Sequence, residues 1–192
     1  MRNTTNGAAA IGQMAVSGPP QQAITVEDLT PFVEDVISRS GVREGTVTVV
    51  SRHTTTGVTI NEWESRLVRD VREWLLRLAP PDDRSAIGGG AGQAGVAYLH
   101  NDIHLRPDSD DERQRCVDNG WDVATDAEAL ERWRAQEPIN AHSHLMAMLL
   151  GSSECIPVHQ GKSVLGQWQS VMVSAPEGLE WGGTFAGRRE TE

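Results

Sequence analysis

The stretch ECIPVHQGKSVLGQWQSVMVS, residues 154–174, reads as two antiparallel strands joined by the turn HQGK. Apolar and β-branched residues flank a glycine-containing turn, which is the pattern of a hairpin. A late hairpin in a chain whose short strands alternate with helices favours α+β over a doubly wound parallel sheet. The expectation is one compact α+β domain, with mixed or antiparallel β-sheets and a few packed helices.

Immediately upstream, INAHSHLMAMLLGSS (139–153) reads as a short helix, apolar nearly all round and ended by Gly151, as for a buried helix. TDAEALERWRAQ (125–136) carries a capping box at Thr125 and Glu128. DSDDERQR (108–115) lacks the loop glycine and terminal glutamate of an EF-hand, and reads as a solvated charged insertion. SAIGGGAGQAG (85–95) has no Gly-Lys-Ser/Thr and follows a helix rather than a strand, so it reads as a loop and not a phosphate cradle. RLVRDVREWLLRL (66–78), with Ser65 as cap, spaces Leu67, Val68, Val71, Trp74, Leu75 and Leu78 as an amphipathic helix. TVTVVS (46–51) reads as a strand buried on both faces, and GVTIN (57–61) as an alternating one. In DLTPFVEDVISRSG (28–41), Thr30 as N-cap, Pro31 in the first turn and Gly41 at the end delimit a helix. Residues 1–22 read as a flexible segment in which IGQMAV is the one candidate strand.

The 192 residues suit a single domain. Only 38 % are apolar and six of the few aromatic residues are Trp, so the core must be built from Val, Leu, Ile and Ala. A net charge of −10 with no basic cluster argues against binding nucleic acid through its phosphates. No apolar run is long enough to cross a membrane, and the N-terminus has no secretory apolar core. Two cysteines make no disulfide framework, and a cytoplasmic, reduced location is the default expectation.

Six histidines are present: His53, His100, His104, His142, His144 and His159. Most lie beside Asn, Asp or Glu, and imidazoles from separate segments can hold a transition metal with an open position. Each also has a plain alternative: His53 at a strand end, His100 on a loop, His142 and His144 as polar residues in a first helical turn. His104 has the i, i+4 spacing to His100, but Pro107 makes a helix there doubtful. His159 falls in the hairpin turn, where exposure is natural. Trp168 can stack on a planar ligand or pack in a core.

HTTTGVTINE, YLHND, NAHSHLMAMLLGSS and PVHQGKSVLGQWQSVMV, in this order, resemble the YjbQ family, also called the secondary thiamine-phosphate synthase family. The likeness covers roughly residues 24–174. It implies a YjbQ-like domain over 23–175, a homotrimer with sites near subunit interfaces, and a weak thiamine-phosphate synthase activity, a transferase reaction on small phosphorylated heterocycles. It further implies His53, His100 and His144 as ligands of a divalent transition metal, zinc first. Glu62, and after it Asp102, become the catalytic acid–base candidates. Asn61, Asn140, Ser152, Ser153, Gln167 and Trp168 become candidate substrate contacts. Metal-dependent hydrolysis suits the same residues, and a non-catalytic ligand-binding module is the alternative. Two departures stand out: the long link 106–138, read as an insertion, and APEGLEWGGTFAGRRETE (175–192), which does not alternate as a last strand should.

Overall fold

Alternation in residues 44–51 sets the position of the central strand. Val47, Val49 and Ser51 are buried while Thr46 is exposed, so this strand hides one face, not both as its composition suggested. The computed structural model describes residues 9–15, 24–82, 96–176 and 180–187. They form eight strands: β1 (Ala9–Ala15), β2 (Ile24–Asp28), β3 (Glu44–Ser51), β4 (Gly57–Asn61), β5 (Ser153–His159), β6 (Lys162–Ser163), β7 (Ser170–Pro176) and β8 (Glu180–Gly187). Five helices accompany them: α1 (Thr30–Ser40), α2 (Ser65–Leu78), α3 (Asp110–Asp118), α4 (Ala127–Gln136) and α5 (Ala141–Leu150). The fold is α+β, as expected.

Two antiparallel sheets have the orders β1-β8-β3-β5-β6 and β2-β7-β4. The expected hairpin is β5–β6, where Gln160 (φ 52°) and Gly161 (φ 80°) form a two-residue turn with both φ values positive. The Glu44 carboxylate accepts from the Gln160 N–H (3.0 Å) and pairs with the exposed His159 ring (2.9 Å). The second half of the quoted stretch is not one strand. β6 is two residues long, and β7 leaves for the other sheet, between β2 and β4. There Val171–Ala175 are all buried, the continuous burial expected of a central strand.

One apolar cluster joins α1 (Val33, Val36, Ile37) to β3, β5, β4 and β7. A second packs Leu75 and Ala79 against Met146 and Ile24. Helix ends differ in detail from expectation. Thr30 does not cap α1: its hydroxyl accepts from the Val171 N–H (2.9 Å), and Asp28 accepts from the Thr30 N–H (2.9 Å). Glu64, not Ser65, caps α2, and the Arg66 and Leu67 N–H groups hold its carboxyl below the usual carboxylate range. Asp126, not Thr125, caps α4, because Thr125 bonds Asp122 instead. Helix α5 is not buried all round. Leu145, Met148 and Leu149 face outward while Met146 and Ala147 are buried.

The chain divides into two compact units, residues 1–80 with 142–192, and residues 81–141. The second holds two 3-10 turns (Leu99–Asn101 and Ile103–Leu105), α3, α4 and a small core of Cys116, Val123 and Trp133. The expected insertion lies inside this unit. Both cysteines are free, and burial raises the pKa of the Cys116 thiol. Ala9–Ala15, in the segment read as flexible, form a strand, and so does the tail over Glu180–Gly187; the rest of 1–22, the 85–95 loop and the last five residues lie outside the described residues. No described helix is long and apolar enough to cross a membrane.

Candidate functional site

The HTTTGVTINE motif is a turn followed by an edge strand, and its two ends serve different neighbourhoods. In the turn, the His53 N–H donates to Ser51 Oγ (3.2 Å) and the His53 carbonyl accepts from the Thr56 N–H (3.2 Å). The backbone of His53 is thereby committed, and its ring has no hydrogen-bond partner among the described residues. Beside it run Gly151–Ser153: the Ser51 N–H donates to the Ser152 carbonyl (2.8 Å), the Val58 N–H to the Gly151 carbonyl (3.0 Å), and Val50 pairs with Ser153. His53, Ser152 and Ser153 therefore share one end of the fold. Gly57 is here because α5 approaches closely: a Cβ would lie 2.6 Å from Leu150 Cβ.

At the other end of β4, Asn61 sits opposite Ser170. Asn61 Oδ1 accepts from the Glu62 N–H (2.8 Å), while the partly buried Glu62 carboxylate has no partner among the described residues. The chain enters β7 through a tight turn in which Gly166 N–H donates to Gln169 Oε1 (2.7 Å) and Gln169 N–H to the Gly166 carbonyl (2.9 Å). This turn presents Gln167 and Trp168, the latter 67 % exposed, at the edge where Asn61 and Glu62 end β4. Gln167 and Trp168 thus shortly precede Ser170, the β7 residue that pairs with the end of β4. At about 3.4 Å per residue, β4 separates this edge from the His53 turn by roughly 14 Å. His53 and Glu62 thus lie in sequence beyond opposite ends of β4.

His144 lies in the first turn of α5, partly exposed, whereas His142 is fully buried, so of the two only His144 reaches solvent. In the second unit, His100 and Asp102 occupy the first 3-10 turn and its end. His104 is in the following 3-10 turn, not on a shared α-helical face with His100. Burial, and then the Arg106 charge, lower the His100 pKa against the pull of Asn140, Glu137 and Glu112. The shift favours the neutral imidazole, the form able to accept a proton or a metal. The Asn140 side chain adjoins this ring. Two braces here escaped the sequence reading. Asn101 donates from Nδ2 to Asp82 Oδ2 (3.1 Å) and accepts at Oδ1 from the Ala141 N–H (3.1 Å), fixing the first residue of α5. Asp82, fully buried, also accepts from the Tyr98 N–H (3.0 Å). Asn101 stood inside a visible motif, but nothing near Asp82 signalled its role.

Among the described residues no three His, Cys, Asp or Glu side chains gather as a metal-holding group.

Two small antiparallel sheets, α1 and a histidine-bearing α5 define a YjbQ-like α+β protein. The chain belongs to the UPF0047 family: the family model described as "UPF0047 protein YjbQ-like" matches residues 15–178. A UPF0047 protein of Methanothermobacter thermautotrophicus is 32 % identical over 151 residues, 79 % of this chain and 73 % of the relative. One of Archaeoglobus fulgidus is 30 % identical over 149 residues, 78 % and 79 % respectively. Among solved structures, a hypothetical protein of Aeropyrum pernix K1 superposes with a TM-score of 0.64 at 23 % identity, covering 95 % of this chain and 99 % of its own.

Proposed function

We propose that the protein is an enzyme acting on a small phosphorylated or heterocyclic metabolite, with Glu62 as its general base. The observation that supports this is the Glu62 carboxylate itself: partly buried, without a partner among the described residues, and beside Asn61 and an exposed Trp168 able to stack on a planar ring. Asp102 is the second acid–base candidate, and Gln167, Asn140, Ser152 and Ser153 are hydrogen-bonding contacts.

Of the reactions open to such a site, hydrolysis uses Glu62 best. In the thiamine-phosphate synthase step a thiazole nitrogen forms a bond to a pyrimidine methylene carbon as the carbon–oxygen bond to pyrophosphate breaks. No proton leaves the reacting atoms, so a base has nothing to take. That transfer also needs cations at the leaving pyrophosphate, and Arg106, one of the nearest in sequence, is already held by Glu112 and Glu137. The transferase activity is accordingly the weak, secondary part of the proposal.

Self-association, as a homotrimer, completes the reading. It is supported by an uncovered apolar flank. Trp74 and Leu78 on α2, and Leu145, Met148 and Leu149 on α5, are exposed although the same two helices pack together through Leu75 and Met146. A zinc-class metal on His53, His100 and His144 is the cofactor part of the proposal.

Glu62→Gln is the test. Screened against phosphate esters and pyrophosphates, the variant is expected to lose about 10²- to 10⁴-fold in kcat with its melting temperature unchanged. A variant that retains turnover removes Glu62 from the chemistry, and one that only unfolds favours the non-catalytic binding module. Elemental analysis of untagged protein checks the metal: near-stoichiometric zinc, lost in a His53→Ala/His144→Ala double variant, is expected. Its absence from both, even after incubation with divalent ions, ends the metal proposal.

A further inference from the structure

The second unit contains a guanidinium with an unusual number of commitments. Arg106 follows the 3-10 turns directly. Its Nε pairs with Glu112 Oε1 in the first turn of α3 (3.2 Å) and its Nη1 with Glu137 Oε2 at the end of α4 (3.2 Å). Nη1 also donates to the His100 carbonyl (3.3 Å). The guanidinium lies over the Trp133 ring of α4, 5.4 Å from its centroid. All three charged side chains are largely buried, with exposures of 17 %, 21 % and 22 %. The backbone is held as well, since the Arg106 carbonyl accepts from Arg134 Nε (2.9 Å) and the Pro107 carbonyl from Arg113 Nη2 (3.3 Å).

We propose that Arg106 is the positioning residue of the His100 segment, and that α3 and α4 are the mount on which it is held. The inference rests on the reading of His100 as a site residue. Three features decide it. First, two carboxylates face one guanidinium, so the local charge is negative and repels a phosphate; Arg106 is not an anion clamp. Second, the acceptors come from three separate places, the start of α3, the end of α4 and the His100 backbone, and a planar five-donor fork can serve all three while stacking on Trp133. A lysine ammonium has neither the fork nor the plane. Third, the neighbouring Asn101 is fixed independently by Asp82 and the Ala141 N–H, while the His100 carbonyl is a point where Arg106 ties this turn to the insertion helices. The 106–138 segment thereby sets where the His100 imidazole stands relative to Asn140, with which it interacts.

The experiment compares Arg106→Gln, Arg106→Lys and Trp133→Leu in the full chain, well below the melting temperature. Readouts are the His100 and His53 ring cross-peaks in NMR spectra, hydrogen exchange of the 99–105 amides, and calorimetric titration with inorganic pyrophosphate. Both Arg106 variants are expected to shift the His100 signal, leave His53 in place and raise exchange in 99–105 by about tenfold or more, the factor that a lost charged hydrogen bond implies. Lysine is expected not to rescue. Trp133→Leu lowers the melting temperature through the small core but keeps both carboxylates and the His100 carbonyl on Arg106, so it is expected to move the His100 signal less than Arg106→Gln does, which separates positioning from mere stability. An unmoved His100 signal in Arg106→Gln overturns the proposal, as does loss of a pyrophosphate affinity present in the parent. Should the signal move while His100→Ala leaves turnover intact, positioning stands and the functional reading of His100 falls instead.

Discussion

Asp82→Ala is expected to destabilise the protein by about 2–4 kcal/mol, because a buried donor and a partly buried one lose their acceptor at once and an unsatisfied buried group costs about 1–3 kcal/mol. The carboxylate is fully buried and takes hydrogen bonds from the Tyr98 N–H and from Asn101 Nδ2. Its removal frees Asn101 to rotate, and with Asn101 goes the acceptor for the Ala141 N–H at the head of α5. Asp82→Asn keeps one acceptor oxygen, so its loss is expected to be smaller. Urea unfolding measures the free energies, and hydrogen exchange at Tyr98 and Ala141 shows whether the damage follows this route. An Asp82→Ala protein with the parental midpoint and unchanged exchange at both amides means the brace carries no stability.

Gly57→Val is the other large effect. A Cβ at this position meets Leu150 Cβ at 2.6 Å and Cδ1 at 2.9 Å, well inside van der Waals contact. The obstacle is the root of a side chain on α5, which cannot swing aside without moving the helix. Gly57→Ala is therefore expected to cost about 1–3 kcal/mol, and Gly57→Val more, through overpacking. Adding Leu150→Ala removes Cγ and Cδ1 but leaves the nearest atom, so the double variant regains only part of the loss. Full recovery on that second substitution shows instead that α5 yields easily and that only the outer Leu150 atoms matter.

These two residues also mark where the sequence was legible. Periodicity and punctuation located α1, α2, α4, β4 and the β5–β6 turn, since Pro31, Gly41 and Gln160-Gly161 act through local backbone geometry. Caps were misplaced by one residue because Ser, Thr, Asp and Glu side chains compete for the same N–H groups; at α2 the longer Glu64 reaches two of them. The burial of β3 on one face and the exposed flank of α5 depend on what packs against them, which composition does not encode. For the site, motifs brought forward His53, Glu62, His100 and His144. That the five-residue β4 stands between His53 and Glu62 was readable in principle from the alternation of GVTIN, but their nearness in sequence suggested a single cluster. Asp82 was invisible because its partners lie sixteen and nineteen residues away.

Strand order carries a consequence for how the chain comes together. β1 bonds only to β8, and β8 in turn lies against β3. During synthesis the earliest strand has no place to dock until the latest one has emerged, so the five-stranded sheet waits with the β3 edge bare while everything between is being made. Such long-range pairing is slow, and an unpaired edge is a template for other chains. The nascent protein is most vulnerable to wrong association not at its hydrophobic helices but along one open strand, for as long as β8 has yet to reach β3.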